Sequence, residues 1–370
     1  MGNYLNMKFN LFHKLNKPDY LLIGTIVSLS LFGLLMVYNS SVAMAIRDFG
    51  NQYYYLQEQT KWLILGLIIF ILFSFIDFRV WKKLAFPIML GTIVLLCIVL
   101  IPGIGIKALG AKRWINLGFF VLQPAEFAKL SLIMYLSAWL AGAKKQKLFS
   151  FLLLLCLFIG LIMLEPDLGT TMIITLTSLA MFFYSGAAIQ QFLFILPLFG
   201  IGATLLAVFS PYRLKRLLTF FNPESDPLGA SYHIRQAIIA LGSGGLFGLG
   251  LGQSRQKYEY LPEANTDSIF AIIGEELGFL GCVILILVYL FILWRGFRIA
   301  RRVEDPFGRN LALGITTWIG IQMLINISAM VALIPLTGVP LPFVSYGGSS
   351  LIIMFAACGI LINISRFVRK

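Results

Sequence analysis

Four carboxylates crowd into one short stretch of this chain, and a carboxylate can act as a general base, hold a divalent cation or cap a helix. The stretch LPEANTDSIFAIIGEELG, residues 261–278, contains Glu263, Asp267, Glu275 and Glu276 out of only 16 acidic residues. If the chain is helical beyond residue 267, Asp267 and Glu275 lie about 12 Å apart along the axis, too far for a close acid/base pair. The residues alone leave Asp267 as either a functional carboxylate or a helix N-cap.

A second group of charges lies in GAKRWINLGFFVLQPAEFAKL, residues 110–130. Lys112, Arg113 and Trp114 form a cationic and aromatic patch of the kind found at lipid headgroups, so a plain interfacial anchor is one interpretation. Glu126 and Lys129 are three residues apart at the start of an apolar run, where each can compensate the other. A charged pair entering a membrane helix is also a functional-site hypothesis.

Three further segments have polar or irregular sequence and are predicted to lie on the same side of the membrane as these charges. LEPDLGTT, residues 164–171, carries two carboxylates, and residues 332–350 carry three prolines and no charge, which favours packing against protein or at the membrane boundary. Six glycines between 242 and 252 indicate a backbone that approaches a ligand or a helix closely, with a flexible linker as the alternative.

The composition excludes a soluble domain. Apolar residues make up 59 % of the 370, charged residues only 12 %, and the mean hydropathy is +0.88. Apolar runs of the length that crosses about 30 Å of hydrocarbon recur along the chain and predict an all-α, polytopic membrane protein with about ten transmembrane helices. The predicted spans are 19–38, 62–76, 84–101, 124–141, 149–164, 168–185, 190–209, 269–294, 311–333 and 348–365.

The distribution of Lys and Arg predicts the orientation. Five segments, namely the N-terminus, 77–83, 142–148, 295–310 and the C-terminus, hold 17 of the 29 basic residues, which places both termini in the cytoplasm. A large external loop, 210–268, then joins helices 7 and 8 within a single domain, 1–370. The net charge of +13 comes mainly from the basic residues of these predicted cytoplasmic segments, so nucleic acid is not an expected partner.

Two function classes remain open on the residues alone. An outward-facing cationic cavity beside a carboxylate suits a lipid-linked anion, because a pyrophosphate group attracts Lys and Arg while a prenyl tail lies in the membrane. Either an enzyme or a transporter could use it. A scaffold is disfavoured, because it would need no such clustering.

The same segments resemble the SEDS family (shape, elongation, division and sporulation), and the resemblance covers essentially the whole chain. It is carried by GAKRWINLGFFVLQPAEFAKL, by the run from YRLKRLLTFF to IIGEELGFLG, and by LTGVPLPFVSYGGSS, and it is nearer to division members than to elongation members. It implies a peptidoglycan glycosyltransferase that polymerises lipid II, with Asp267 as general base. Two positions depart from the common family pattern, with Asn265 in place of His and Ser268 in place of Phe.

The resemblance also implies the rest of the site. A divalent cation, Mg²⁺ or Mn²⁺, is expected near the leaving pyrophosphate, with Asp267 as a candidate ligand and no organic cofactor, while Asn265 and Glu276 are supporting residues. The expected substrate-binding residues are Lys112, Arg113, Trp114, Glu126, Lys129, Arg213, Glu259, Glu263 and Ser345.

The expected partners follow from the same resemblance. They are lipid II and undecaprenyl-pyrophosphate-linked glycan, a class B penicillin-binding protein, other divisome proteins and the bacterial cytoplasmic membrane at the division site. A lipid II flippase and an elongation polymerase are the alternatives.

Overall fold

Eleven helices and one small sheet make up the part of the chain that the computed structural model describes, residues 16–108, 111–116, 118, 121–142, 148–208, 220, 230–258 and 260–369. The helices are α1 (Tyr20–Phe49), α2 (Tyr54–Phe75), α3 (Phe78–Leu100), α4 (Pro124–Gly142), α5 (Leu148–Leu164), α6 (Leu168–Tyr184), α7 (Ile189–Val208), α8 (Ala230–Ser243), α9 (Ile269–Arg302), α10 (Pro306–Met330) and α11 (Gly348–Ser365). Arg213 and Glu259 lie outside the described residues.

Each predicted span overlaps one helix, and α8 is an additional helix within the predicted loop 210–268. By length and composition, α1, α2, α3, α9, α10 and α11 could cross a membrane. The chain is therefore an all-α, multi-pass membrane protein. The helices α1 and α9 run well past their predicted ends; in these extensions Asn39 contacts Glu276 and Arg295 pairs with Asp19.

The helices α10 and α11 form the centre of the described core and are the most enclosed of the six spans. The helix α2 lies against α11 so closely that a Cβ at Gly359 would approach the carbonyl oxygen of Phe70 to 2.6 Å. Small residues at this crossing let the two backbones approach, which is the usual basis of helix association in a membrane.

Several segments predicted to be cytoplasmic meet at one end of the molecule. The Arg295 guanidinium pairs with Asp19 at 2.5 Å, and the backbone N–H of Asp19 donates to the Ser365 hydroxyl at 3.1 Å. The backbone N–H of Phe78 donates to the Asn363 side chain at 2.9 Å. This end therefore gathers the start of α1, the start of α3, the end of α9 and the end of α11.

A three-stranded antiparallel sheet follows α3 and was not predicted from the sequence. Its strands are β1 (Gly105–Ala108), β2 (Ala111–Asn116) and β3 (Val121–Leu122), in the order β1-β2-β3. Backbone pairing satisfies the N–H and C=O groups of a segment that lacks an apolar period. The strand β2 carries Lys112, Arg113 and Trp114, so that patch is held in a sheet rather than in an irregular loop.

The helix α9 contains a break that the sequence did not predict. Gly278 has φ 67° and ψ −168°, outside the helical region, which releases the carbonyl groups of the residues before it. The carbonyls of Glu275 and Glu276 accept from the backbone N–H groups of Leu249 and Gly250, each at 3.0 Å. The glycine-rich segment 244–252 thus packs directly on α9, and its interpretation as a flexible linker is wrong.

Gly248 provides a stability test of this contact. It has φ +82°, and a Cβ there would lie 2.1 Å from the Glu276 carbonyl oxygen. We expect Gly248→Ala to lower the free energy of unfolding by at least ~2 kcal/mol, through backbone strain and the clash. Gly242→Ala is the matched control, because no atom lies within 4 Å of its Cβ. Equal thermal unfolding temperatures for the two variants in detergent would contradict the packing described here.

Candidate active site around Asp267

Asp267 lies at the entrance to α9, one residue before its N-cap. The N-cap is Ser268, which makes no side-chain capping bond, and the helix starts at Ile269, so the prediction that Asp267 occupies the N-cap position is wrong. The backbone carbonyl of Asp267 accepts from the Asn326 side chain at 2.8 Å, and a Cβ on Gly338 would lie 3.5 Å from its carboxylate Oδ2. The half-buried carboxylate therefore faces the proline-rich segment 334–347.

The proline-rich segment 334–347 braces the residues before Asp267. The Ser345 hydroxyl donates to the Thr266 carbonyl at 2.6 Å and accepts from the backbone N–H of Leu341 at 2.8 Å. The backbone N–H of Tyr346 donates to the carbonyl of buried Asn265 at 2.9 Å. The prediction that this segment packs against protein is thus confirmed, and Ser345 is placed where it holds the backbone next to Asp267.

The start of α6 contacts the same segment from another side. Asp167 caps α6, accepting from the Thr170 backbone N–H at 3.0 Å and from the Thr170 hydroxyl at 2.9 Å. A Cβ on Gly169 would lie 2.7 Å from the Thr337 carbonyl oxygen, so α6 and the proline-rich segment touch there. The structure therefore brings residues 165–170 and Asp267 to one proline-rich segment.

Glu165, in the turn before α6, is a buried carboxyl group. Neither of its side-chain oxygens has a hydrogen-bond partner among the described residues. Burial, assisted by the charge of Asp167 and opposed by that of Arg113, raises the pKa of Glu165 to about 8, so the group is mostly protonated at pH 7. Arg113 donates to the backbone carbonyls of Glu165, at 3.1 Å, and of Pro166, and thereby ties β2 to this turn.

Glu126 and Lys129 form the buried pair that their spacing predicted. The Lys129 ammonium lies 2.8 Å from Glu126 Oε1 and 3.3 Å from Gln322 Oε1, and both charged residues are nearly inaccessible to solvent. Gln322 also accepts from the Trp318 indole at 2.8 Å and donates to the Pro340 carbonyl at 3.0 Å. The pair is thus connected through Gln322 to the proline-rich segment.

Glu275 and Glu276 fasten a loop rather than face Asp267. Glu275 accepts from the Ser254 hydroxyl at 2.5 Å and from the Arg255 backbone N–H at 3.0 Å. Glu276 is fully buried, pairs with the Lys257 ammonium at 3.2 Å and accepts from the Asn39 side chain. Two of the four clustered carboxylates therefore hold the segment after the glycines to α9 and α1.

Glu263 and His233 complete the surroundings of Asp267. Glu263 accepts from the Thr266 hydroxyl at 2.7 Å and so closes the turn locally. The His233 Nε2 atom on α8 lies 2.6 Å from the Ser268 hydroxyl, which itself donates to the Pro262 carbonyl at 2.9 Å. Because that hydroxyl proton is used, Ser268 accepts and His233 Nε2–H donates. His233 was not predicted as a site residue.

The residues present allow only a limited metal site. Among the described residues, no group of three or more His, Cys, Asp and Glu side chains could hold an ion. Magnesium in phosphate enzymes is often bound by one or two carboxylates together with substrate phosphates, and Asp267 fits that arrangement.

Gln322, Asn326, Asn39 and Lys257 were not predicted as site residues. Gln322 and Asn326 are four apart on one face of α10, and two amides in an apolar helix were an available signal. Asn39 and Lys257 are more than 200 residues apart in sequence, so no local pattern could pair them.

The fold and the site define a class of protein. It is a multi-pass membrane protein in which Asp267, at the start of α9, faces the proline-rich segment 334–347 at one end of the molecule. The family model FTSW_RODA_SPOVE, described as "Cell cycle protein", matches residues 19–370. The chain belongs to this FtsW/RodA/SpoVE family, which confirms the resemblance to SEDS proteins.

Relatives of known name match nearly the full length. "Stage V sporulation protein E" of Bacillus subtilis is 42 % identical over 364 residues, covering 96 % of this chain and 99 % of that protein. "Probable peptidoglycan glycosyltransferase FtsW" of Trichlorobacter lovleyi is 40 % identical, covering 95 % and 94 %.

Solved structures share the fold. One, described as "Structural coordination of polymerization and crosslinking by a peptidoglycan synthase complex", matches with a TM-score of 0.76 at 27 % identity, covering 94 % of this chain and 98 % of that chain. The rod shape determining protein RodA of Thermus thermophilus matches with a TM-score of 0.70 at 27 % identity, covering 95 % and 98 %.

Proposed function

We propose that this protein is a peptidoglycan glycosyltransferase that polymerises lipid II at the outer face of the cytoplasmic membrane during cell division. The observation that carries the proposal is the placement of Asp267, whose backbone is held by Asn326 while its half-buried carboxylate faces the proline-rich segment. Relatives about 40 % identical over nearly the whole chain are named "Probable peptidoglycan glycosyltransferase FtsW", which supports the same activity.

The chemistry proposed for Asp267 is general-base catalysis. The 4-hydroxyl of one disaccharide attacks the anomeric carbon of the growing chain, the bond to undecaprenyl pyrophosphate breaks, and Asp267 accepts the hydroxyl proton. The bonds from Asn326 and Ser345 hold the backbone on either side of the carboxylate, so that little reorganisation is needed. A bound Mg²⁺ or Mn²⁺ would neutralise charge on the pyrophosphate, with Asp267 as candidate ligand.

The proposed membrane arrangement follows the charge pattern. Ten spans cross the membrane, both termini are cytoplasmic, and the loop 210–268 is external, all within one unit of residues 1–370. The gathering of the start of α1 and the ends of α9 and α11 at one end of the molecule supports this arrangement. Asp267 then lies at the outer boundary.

The partner proposed for this polymerase is a class B penicillin-binding protein. A structure with the same fold is described as coordinating polymerization and crosslinking in a peptidoglycan synthase complex, which supports such a pairing. The proposed substrate contacts are Lys112, Arg113 and Trp114 on β2, Glu126 and Lys129 beneath the proline-rich segment, and Arg213, Glu259, Glu263 and Ser345.

The test is polymerisation by the purified full chain with its class B partner, fluorescent lipid II and Mg²⁺ or Mn²⁺ in liposomes. Glycan ladders on a gel are the expected result. The same liposomes report lipid II translocation through accessibility of the label to an external quencher. Translocation without ladders would indicate the flippase instead of the polymerase. If the protein makes ladders and, when expressed in cells, complements an elongation defect but not a division defect, the elongation role would be indicated.

His233 supplies a further prediction about this reaction. We expect His233→Ala to reduce the polymerisation rate about tenfold, because the turn that carries Asp267 loses the donor to Ser268. A glutamine side chain can present an N–H near the same point, so His233→Gln should stay within about threefold of wild type. If His233→Gln lost as much activity as His233→Ala, the role of a positioning residue would be contradicted. Rates are to be measured at saturating lipid II.

A further inference from the structure

Four arginines line one open cavity at the end of the molecule remote from Asp267. The cavity has a volume of about 360 Å³ and is lined by Arg301, Arg302, Val303, Glu304, Arg309 and Arg369. Two of these arginines end α9, one lies in the first turn of α10, and one belongs to the C-terminal segment.

The backbone holds this arrangement in place. Val303 pairs with Val368 in an antiparallel bridge, and the backbone N–H of Arg369 donates to the Arg302 carbonyl at 3.2 Å. The Arg309 guanidinium lies 3.5 Å from the Val303 carbonyl oxygen. The chain therefore brings guanidinium groups from separate segments around one cavity without relying on their charges.

The charge of the cavity is largely uncompensated by its own lining. Among the described residues that line it, Glu304 is the one carboxylate; it lies 3.4 Å from Arg369, and both side chains of that pair are more than 70 % exposed. An exposed pair of this kind contributes little. Several guanidinium groups facing one space repel each other, and an anion between them removes that repulsion.

The arginine side chains and a neighbouring tryptophan indicate the kind of anion. Guanidinium groups bind phosphate oxygens in a bidentate manner. The exposed indole of Trp294 lies two turns before Arg301 on α9, with the guanidinium groups of Arg295 and Arg298 over it at 5.7 and 5.4 Å. Tryptophan marks the headgroup level of a membrane. We propose that this cavity binds the phosphodiester headgroup of an anionic phospholipid.

The test is native mass spectrometry of the full chain in detergent with added phosphatidylglycerol or phosphatidylcholine. We expect Arg301→Gln/Arg302→Gln to bind phosphatidylglycerol at least fivefold more weakly than wild type. The matched control is Lys82→Gln/Lys83→Gln, which removes the same charge from exposed lysines on α3 at the same end and should change binding less than twofold. Binding of phosphatidylcholine should be the same in wild type and in both double variants.

Two further arms make the result decisive. Arg301→Lys/Arg302→Lys keeps the charge, so it tests the guanidinium geometry even if the glutamine variant folds poorly; we expect binding two- to threefold weaker than wild type. Equal losses of phosphatidylglycerol binding in Arg301→Gln/Arg302→Gln and in Lys82→Gln/Lys83→Gln, or no loss in either, would overturn the site. Displacement of phosphatidylglycerol by millimolar inorganic phosphate would overturn the lipid assignment in favour of a soluble phosphate anion.

Discussion

Asp267→Asn should abolish measurable glycan polymerisation, with a fall of at least 10²-fold in rate, while the protein stays folded. The amide has the size of the carboxylate but cannot accept the acceptor's proton, and a positioned general base is worth typically 10²–10⁴-fold. The backbone bonds that hold this residue come from Asn326 to its carbonyl oxygen and from Ser345 to the preceding carbonyl, so the substitution leaves them intact. The rate is measured by the appearance of fluorescent glycan ladders with the class B partner present.

Asp48→Asn is the control for charge removal. Asp48 lies at the opposite end of α1 from Asp19 and pairs with its neighbour Arg47 at 2.6 Å on the surface. Its substitution should leave the polymerisation rate within about twofold of wild type. Ladders from Asp267→Asn at the wild-type rate would contradict the general-base role, and a loss of activity accompanied by a lower unfolding temperature would assign Asp267 to folding.

Lys129→Met should be the most destabilising of the substitutions considered. It leaves the Glu126 carboxylate buried without its ammonium partner, and removing one member of a buried ion pair typically costs about 3–5 kcal/mol. Gln322 also loses a donor, and Trp318 loses the ammonium that lies 5.3 Å from its ring centre. The measurement is the free energy of unfolding in mixed micelles with a denaturing detergent.

The double variant Glu126→Gln/Lys129→Met separates charge from packing. It removes both charges at nearly constant volume, so we expect it to recover more than half of the stability lost in Lys129→Met. Equal losses in the single and the double variant would show that the packing of the lysine chain, and not the electrostatic pair, stabilises this region.

The approximate positions of most helices could be predicted because they depend on local sequence. An apolar run long enough for the bilayer must cross it as a helix, whatever surrounds it, since no other structure satisfies its backbone there. The pairing of Glu126 with Lys129 was predictable for a similar reason, because residues three apart on a helix are neighbours. No such local rule applies to residues 111–116, because the strand they form depends on pairing with residues 105–108 and 121–122.

The functions of the clustered carboxylates could not be separated from sequence. Within 18 residues, Glu263 closes a turn, Asp267 faces the proline-rich segment, and Glu275 and Glu276 hold the loop that follows the glycines. Glu275 and Glu276 differ from Asp267 because of the helix break at Gly278 and because Lys257 and Asn39, from distant segments, pack beside Glu276.

The sequence by itself determined that this is a membrane protein of the SEDS type, roughly where ten of its helices lie, and which short segments carry charge, because hydropathy, helix spacing and motif are properties of neighbouring residues. The tertiary structure decided which of those segments meet. Residues 165–170, 261–268 and 334–347 converge at Asp267, and Arg301, Arg302, Arg309 and Arg369 converge at the other end. Such meetings depend on contacts between residues tens to hundreds of positions apart, which no local periodicity encodes.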